Sequence, residues 1–141
     1  MGELESSVRL FYEHFGQGDM DAAASIYHDD VVTVEPALGR ATSVAEWRSY
    51  GEAFRRASPD AHMVLHRVLE DGEMVAVEAT FAGTFTGPLA SSEGEVPPSG
   101  EAFEIPFADF FQFRDGRVSE HHVYYDRVAF MAALRIVPPP P

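Results

Sequence analysis

Three carboxylates and one imidazole sit where apolar residues would be ordinary. Asp109 interrupts the Phe-rich run Ile105–Phe113, His122 lies among the aromatics of Val118–Tyr125 with Asp126 directly after them, and Glu35 closes a valine-rich run just before Pro36. A carboxylate on an apolar strand is costly unless it is paired, protonated or put to work. Carboxylates and imidazoles in an apolar setting can move protons to and from carbon, and can donate to or accept from a developing enolate oxygen.

The element that must position them is a hairpin. Asp115-Gly116 between two alternating runs is a strong type I′ turn signal, because both central residues of that turn need positive φ. Strict alternation outward from the turn pairs Arg114 with Arg117, Phe113 with Val118, Phe111 with Glu120, Asp109 with His122 and Phe107 with Tyr124. One face then holds Phe107, Asp109, His122, Tyr124 and Asp126. On this register Asp109 and His122 form an acid/base pair. Asp126 stands about 13 Å further along the strand, too far to share their proton. The alternative for Asp126 is an N-cap of a following helix. Glu35 before proline sits at a strand end, where a solvated carboxylate is the competing reading.

The remaining chain supplies helices and more strands. Leu4, Val8, Phe11, Tyr12 and Phe15 repeat with a 3.6-residue period, and Gly16 and Gly18 end that helix. Asp19 can cap a short helix over Ala22–Tyr27, and Val31–Glu35 reads as extended. Ser43-Val-Ala-Glu46 is a capping box opening a third helix whose apolar face carries Val44, Trp47, Gly51 and Phe54. Strands follow over 61–69, 74–86, 101–114 and 117–125, with a turn-rich loop at 87–100 as a lid or rim, then a short helix over 128–134. The expectation is one α+β domain over residues 1–137, with the proline tail 138–141 frayed. Tyr12, Trp47, Tyr50, Tyr124 and Phe107 are the expected pocket lining.

Composition narrows the classes. The chain has 141 residues, no cysteine and a formal charge of −13. That charge argues against nucleic acid and anionic membrane as partners. The missing thiols remove disulfides, thiolate nucleophiles and thiolate metal sites. His62 and His66 have helical zinc spacing but sit in a strand-like run, where four residues separate them too widely for one ion. No metal, no cofactor and a cytoplasmic location are expected.

Several stretches carry a resemblance: Phe11-Tyr12 with Gly18-Asp19, Gly83-Thr-Phe-Thr-Gly87, Pro98-Ser-Gly100, and Arg114 through Asp126. Together they resemble the SnoaL-like polyketide cyclases of the nuclear transport factor 2-like superfamily, which also includes the ketosteroid isomerases. The resemblance implies a cone-shaped α+β barrel wrapped around N-terminal helices, an internal pocket, cofactor-independent acid/base chemistry and a homodimer. It implies an aldol-type ring closure on an apolar carbonyl substrate, with Asp126 in the catalytic position and Asp109 and His122 polarising the carbonyl or relaying the proton. The isomerase branch implies instead Glu35 as base and Asp109 as oxyanion donor, with the oxyanion tyrosine falling at Phe11, one residue before Tyr12. A non-catalytic ligand-binding module of the same fold, and epoxide opening through Arg67 and Glu78, complete the alternatives.

Overall fold

In the computed structural model, which describes residues 2–37, 39–91 and 94–136, the apolar stripe near the N-terminus forms α1 (Glu3–Gly16) and buries Val8, Phe11, Tyr12 and Phe15. Asp19 caps α2, accepting from the Ala22 amide at 3.1 Å. This helix spans only Met20–Ala24. The expected extension to Tyr27 fails because Tyr27 already opens β1 (Tyr27–Glu35), which a three-residue β2 (Gly39–Ala41) follows. Helix α3 (Val44–Ala57) starts at the capping box. The Glu46 amide donates to Ser43 Oγ at 3.2 Å, while the Glu46 carboxylate reaches back to the Thr42 amide at 3.4 Å.

Strands β3 (His62–Asp71) and β4 (Met74–Thr84) follow. The turn-rich segment expected as a loop contains its own small hairpin, β5 (Leu89–Ser91) with β6 (Gly94–Val96). Leu89 and Val96 pack on the cluster of Phe85, Phe103 and Phe130, which anchors this hairpin to the body. Gly87 runs so close to α3 that an added Cβ would lie 2.2 Å from the Arg56 carbonyl oxygen. The long pair β7 (Ala102–Arg114) and β8 (Arg117–Tyr125) comes next, and α4 (Arg127–Ala133) ends the described chain. The expected proline tail 138–141 lies outside the described residues.

The main sheet has the order β2-β1-β8-β7-β4-β3, antiparallel except for the parallel β1–β8 pair. It is curved and not closed, so the architecture is α+β as expected while the barrel is open. Helices α1 and α3 cover its inner face. An aromatic core built from Phe11, Tyr12, Phe15, Tyr27, Trp47, Phe107 and Phe111 lies between helices and sheet.

The β7–β8 hairpin turns as expected, with Asp115 at φ 52° and Gly116 at φ 80°. Its register does not follow strict alternation. Phe113 pairs with Val118, but Gln112 pairs with Glu120, leaving Ser119 as an extra residue on β8. This is a β-bulge, two residues opposing one, and it moves every later side chain of β8 to the other face. The Ser119 hydroxyl donates to the Gln112 carbonyl at 3.2 Å. Beyond the bulge, Phe111 pairs with His121, Asp109 with Val123 and Phe107 with Tyr125.

Candidate active site

A cavity of about 130 Å³ lies between the helices and the inner face of the sheet. Aromatic side chains make most of its wall, among them Phe11, Tyr12, Trp47, Tyr50, Phe81 and Phe107. Two carboxylates, Asp109 and Glu35, and one imidazole, His121, face into it; no lysine or arginine does so among the described residues.

Sheet register places the two acids. Thr33 of β1 is level with His121 of β8 and Val34 with His122. One step further along β1 brings Glu35 level with Val123, which pairs with Asp109 on the other side. Asp109 and Glu35 therefore flank Val123 at one height, their backbones two strands or roughly 10 Å apart.

Asp109 is 3 % exposed. Tyr12 donates a short hydrogen bond to its Oδ2. His121 Nε2 lies 3.1 Å from the same oxygen, near enough for charge but out of line for its own hydrogen bond, so that nitrogen and Asp109 Oδ1 are both left without a hydrogen-bond partner. Behind His121, its Nδ1 meets the Tyr27 hydroxyl at 2.8 Å, and its ring stacks on Phe111 at 4.1 Å. Burial, and after it the Asp109 charge, holds both the Tyr12 and the Tyr27 hydroxyl well above the ordinary tyrosine range. Both stay protonated, as donors beside an acid must.

Glu35 is tied down at both oxygens. Tyr125 donates a short hydrogen bond to Oε1, and the Ala37 amide donates to Oε2 at 3.0 Å. Tyr50 interacts with Glu35 and Tyr125 together. Burial raises the Tyr50 hydroxyl first, with the Glu35 charge behind it; burial and then the Glu35 hydrogen bond raise Tyr125. This end of the cavity presents a carboxylate dressed by neutral phenols, whereas the Asp109 end presents a carboxylate with one buried oxygen unpartnered among the described residues.

The expected site residues divide accordingly. Asp109, Glu35, Tyr12, Trp47, Tyr50 and Phe107 line the cavity. His122 does not: the bulge turns it to the outer face, where its Nε2 lies 3.5 Å from Glu120. Tyr124 turns outward for the same reason, 56 % exposed and packed edge-on against Phe110. Their inward places fall to His121 and Tyr125. Asp126 does not face the cavity either. It is the exposed N-cap of α4, accepting from the Ala129 amide at 3.0 Å. Arg67 and Glu78 form an exposed pair at 3.6 Å, away from the cavity. Sequence reasoning missed His121, Tyr125, Tyr27 and Thr33. One signal was available: strict alternation buried Glu120 opposite Phe111, and only an extra residue between Val118 and His121 relieves that.

Comparison with known proteins agrees with this architecture. The family model for the SnoaL-like domain matches residues 8–121. None of the curated protein sequences matches the chain. Among solved structures, a candidate SnoaL-like polyketide cyclase from Jannaschia sp. CCS1 superposes with a TM-score of 0.81 at 23% identity, covering 98% of either chain. IdmH, a candidate polyketide cyclase from Streptomyces antibioticus, gives 0.78 at 25% identity over 95% of this chain and 99% of its own. AclR, a candidate hydroxylase from Streptomyces galilaeus, gives 0.83 at 19% identity over 99% of this chain and 85% of its own. The fold they share is the nuclear transport factor 2-like one.

Proposed function

The chain belongs to the SnoaL-like domain family, and on that footing we propose that it is a polyketide cyclase-type enzyme performing acid/base carbon–carbon bond closure on an apolar carbonyl substrate. The observation that carries this reading is Asp109: a buried carboxylate on the wall of an aromatic cavity, held through Oδ2 by Tyr12, with Oδ1 left without a hydrogen-bond partner among the described residues.

Asp109 Oδ1 takes the proton from the carbon next to a carbonyl. The resulting enolate oxygen is stabilised by His121, because a Tyr27 hydroxyl donating to Nδ1 leaves the proton on Nε2, which faces the cavity. The enolate carbon attacks a second carbonyl about one ring away. The new alkoxide accepts hydrogen bonds from the phenols at the Glu35 end, which Glu35 holds in place, and takes back through water the proton that Asp109 removed, which restores the resting site. Proton transfer and alkoxide stabilisation are thus assigned to opposite ends of one cavity. These roles replace the ones expected for Asp126 and His122, whose side chains face elsewhere.

The test does not need the natural substrate. Hydrogen–deuterium exchange at the α-carbon of 1-indanone in D2O, followed by mass spectrometry, reads the first step alone. The protein is expected to accelerate exchange, and Asp109→Asn to reduce the acceleration by about a hundredfold or more. Equal rates for the two proteins would leave a ligand-binding module as the function.

A second reading rests on Glu35 and Asp109 sharing the cavity: double-bond isomerisation with Glu35 as the proton carrier and the Asp109 end polarising the carbonyl. Glu35→Gln should then abolish isomerisation of a β,γ-unsaturated ketone while leaving α-exchange in 1-indanone intact.

A further inference from the structure

Three buried polar atoms on residues that line the cavity have no hydrogen-bond partner among the described residues: Asp109 Oδ1, His121 Nε2 and Thr33 Oγ1. Thr33 is 2 % exposed and pairs directly with His121 across the β1–β8 ladder; His121 in turn meets Asp109. Thr33 and His121 stand level on neighbouring strands, and Asp109 lies two residues along β7 from Phe111, the residue level with His121. Asp109 and His121 already have roles in the proposed chemistry, whereas Thr33 has none. A buried hydroxyl without a partner opposes folding, and valine has the same shape without that cost. The neighbouring positions of β1 are valines 31, 32 and 34. A threonine at an inward place of this strand, on the cavity wall and without a partner for its hydroxyl, has the mark of a binding group.

We propose that Thr33 completes a subsite for a single uncharged hydroxyl, the enol or phenol oxygen of a one-ring head group. This deepens the acid/base reading and rests on it, because it specifies what the Asp109 end of the cavity holds. A hydroxyl offers one donor and two acceptor positions. These residues offer the complement: one unpartnered carboxylate oxygen to accept, and the Thr33 hydroxyl and His121 N–H to donate. A ligand hydroxyl seated beside His121 takes the donors of Thr33 and His121 on adjacent strands and turns its own proton toward Asp109. A carboxylate head group does not fit, since it brings a second negative charge beside Asp109 and finds no lysine or arginine on the described wall. Size agrees as well. At about 130 Å³ the cavity is close to the ~150 Å³ that holds a benzene-sized ligand.

The experiment uses Trp47, the chain's one tryptophan, which lines the cavity and gives a single indole N–H signal in NMR. Phenol, toluene and benzoate are titrated against the unmodified protein, Thr33→Val and Thr33→Ser. The expected result is phenol binding about tenfold more tightly than toluene, with benzoate not bound. Thr33→Val should shrink the phenol-to-toluene ratio about fivefold without changing toluene, and Thr33→Ser should preserve the ratio. Toluene binding with no preference for phenol overturns the hydroxyl subsite and leaves the α-exchange assay to judge the reaction. Benzoate binding as well as phenol, or a ratio unchanged in Thr33→Val, overturns the subsite too. Failure of both phenol and toluene to move the Trp47 signal overturns the subsite and the ligand cavity together.

Discussion

The Tyr12–Asp109 bond can be weighed by removing it in two ways. Tyr12→Phe keeps the ring and its contacts, including the stacked Phe11 at 5.1 Å, and deletes only the hydroxyl. What remains is a carboxylate 3 % exposed whose Oδ1 already lacks a partner and whose nearest other group, His121 Nε2, is not aligned to donate. A hydrogen bond to a charged acceptor contributes about 1.5–3 kcal/mol, and an orphaned buried charge belongs at the upper end, so about 2–3 kcal/mol is expected. For 141 residues, an unfolding entropy of ~2.1 cal/mol/K per residue gives about 0.3 kcal/mol/K, hence a fall in Tm of roughly 7–10 °C. The double variant Tyr12→Phe/Asp109→Leu removes both partners and should return to within about 1 kcal/mol of the parent or exceed it, because apolar residues carry no desolvation cost. Calorimetry with urea denaturation reads both. A Tyr12→Phe protein within ~0.5 kcal/mol of the parent would refute the account of how Asp109 is held, and so would a double variant no more stable than the single one.

Other outcomes follow from the same geometry. Asp126→Ala should cost about 1 kcal/mol in a urea melt, with Asp126→Asn largely retaining stability, and neither should change α-exchange in 1-indanone, because Asp126 caps α4 outside the cavity. Tyr12, Tyr27, Tyr50 and Tyr125 are all raised above the ordinary value of 10.0 in the folded chain. Their protons are held more tightly folded than unfolded, so this stabilisation is complete below about pH 10 and is lost as pH rises beyond it. Tyrosinate absorbance from these four should then appear together with the loss of far-ultraviolet circular dichroism, and ionisation of all four in a still-folded protein would contradict their placement. Deleting Ser119 should give a folded protein with His121 still inward and exchange activity retained, since the β8 register is regular without it. Deleting Val123 should instead turn Tyr125 outward and weaken folding, as a lower urea midpoint would show.

The parts of the fold that could be read in the chain are those set locally. The stripe of α1, the Ser43–Glu46 box, the Asp19 cap and the Asp115-Gly116 turn each depend on residues a few positions apart, and each is where the spacing puts it. The boundary at Tyr27 is different: its backbone belongs to a parallel pairing with Val118, across ninety-odd residues of chain, and nothing beside it announces that. The site was half legible. Asp109 stood out because a carboxylate among phenylalanines demands an explanation, whereas Glu35 entered only through the resemblance to the ketosteroid isomerases, since a carboxylate before proline at a strand end reads as solvated. The imidazole partner was assigned one residue off, since a period of two propagates any error to the end of a strand. Ser119 is small, polar and compatible with either a regular or a bulged ladder, so its own identity carries little warning. Thr33 gave no signal, because threonine in a valine-rich strand is an ordinary β-former until its hydroxyl proves to lack a partner.

The absence of lysine and arginine from the described cavity wall also has a kinetic side. With a formal charge of −13 on the chain, the long-range field around the molecule is negative. A neutral substrate feels little of this field, so its encounter rate has no electrostatic gain to lose when salt is added. An anionic relative of the same shape is slowed on approach as well as disfavoured inside, and added salt relieves only the first of these. Ionic strength thus separates selection on the way in from selection at the Asp109 end.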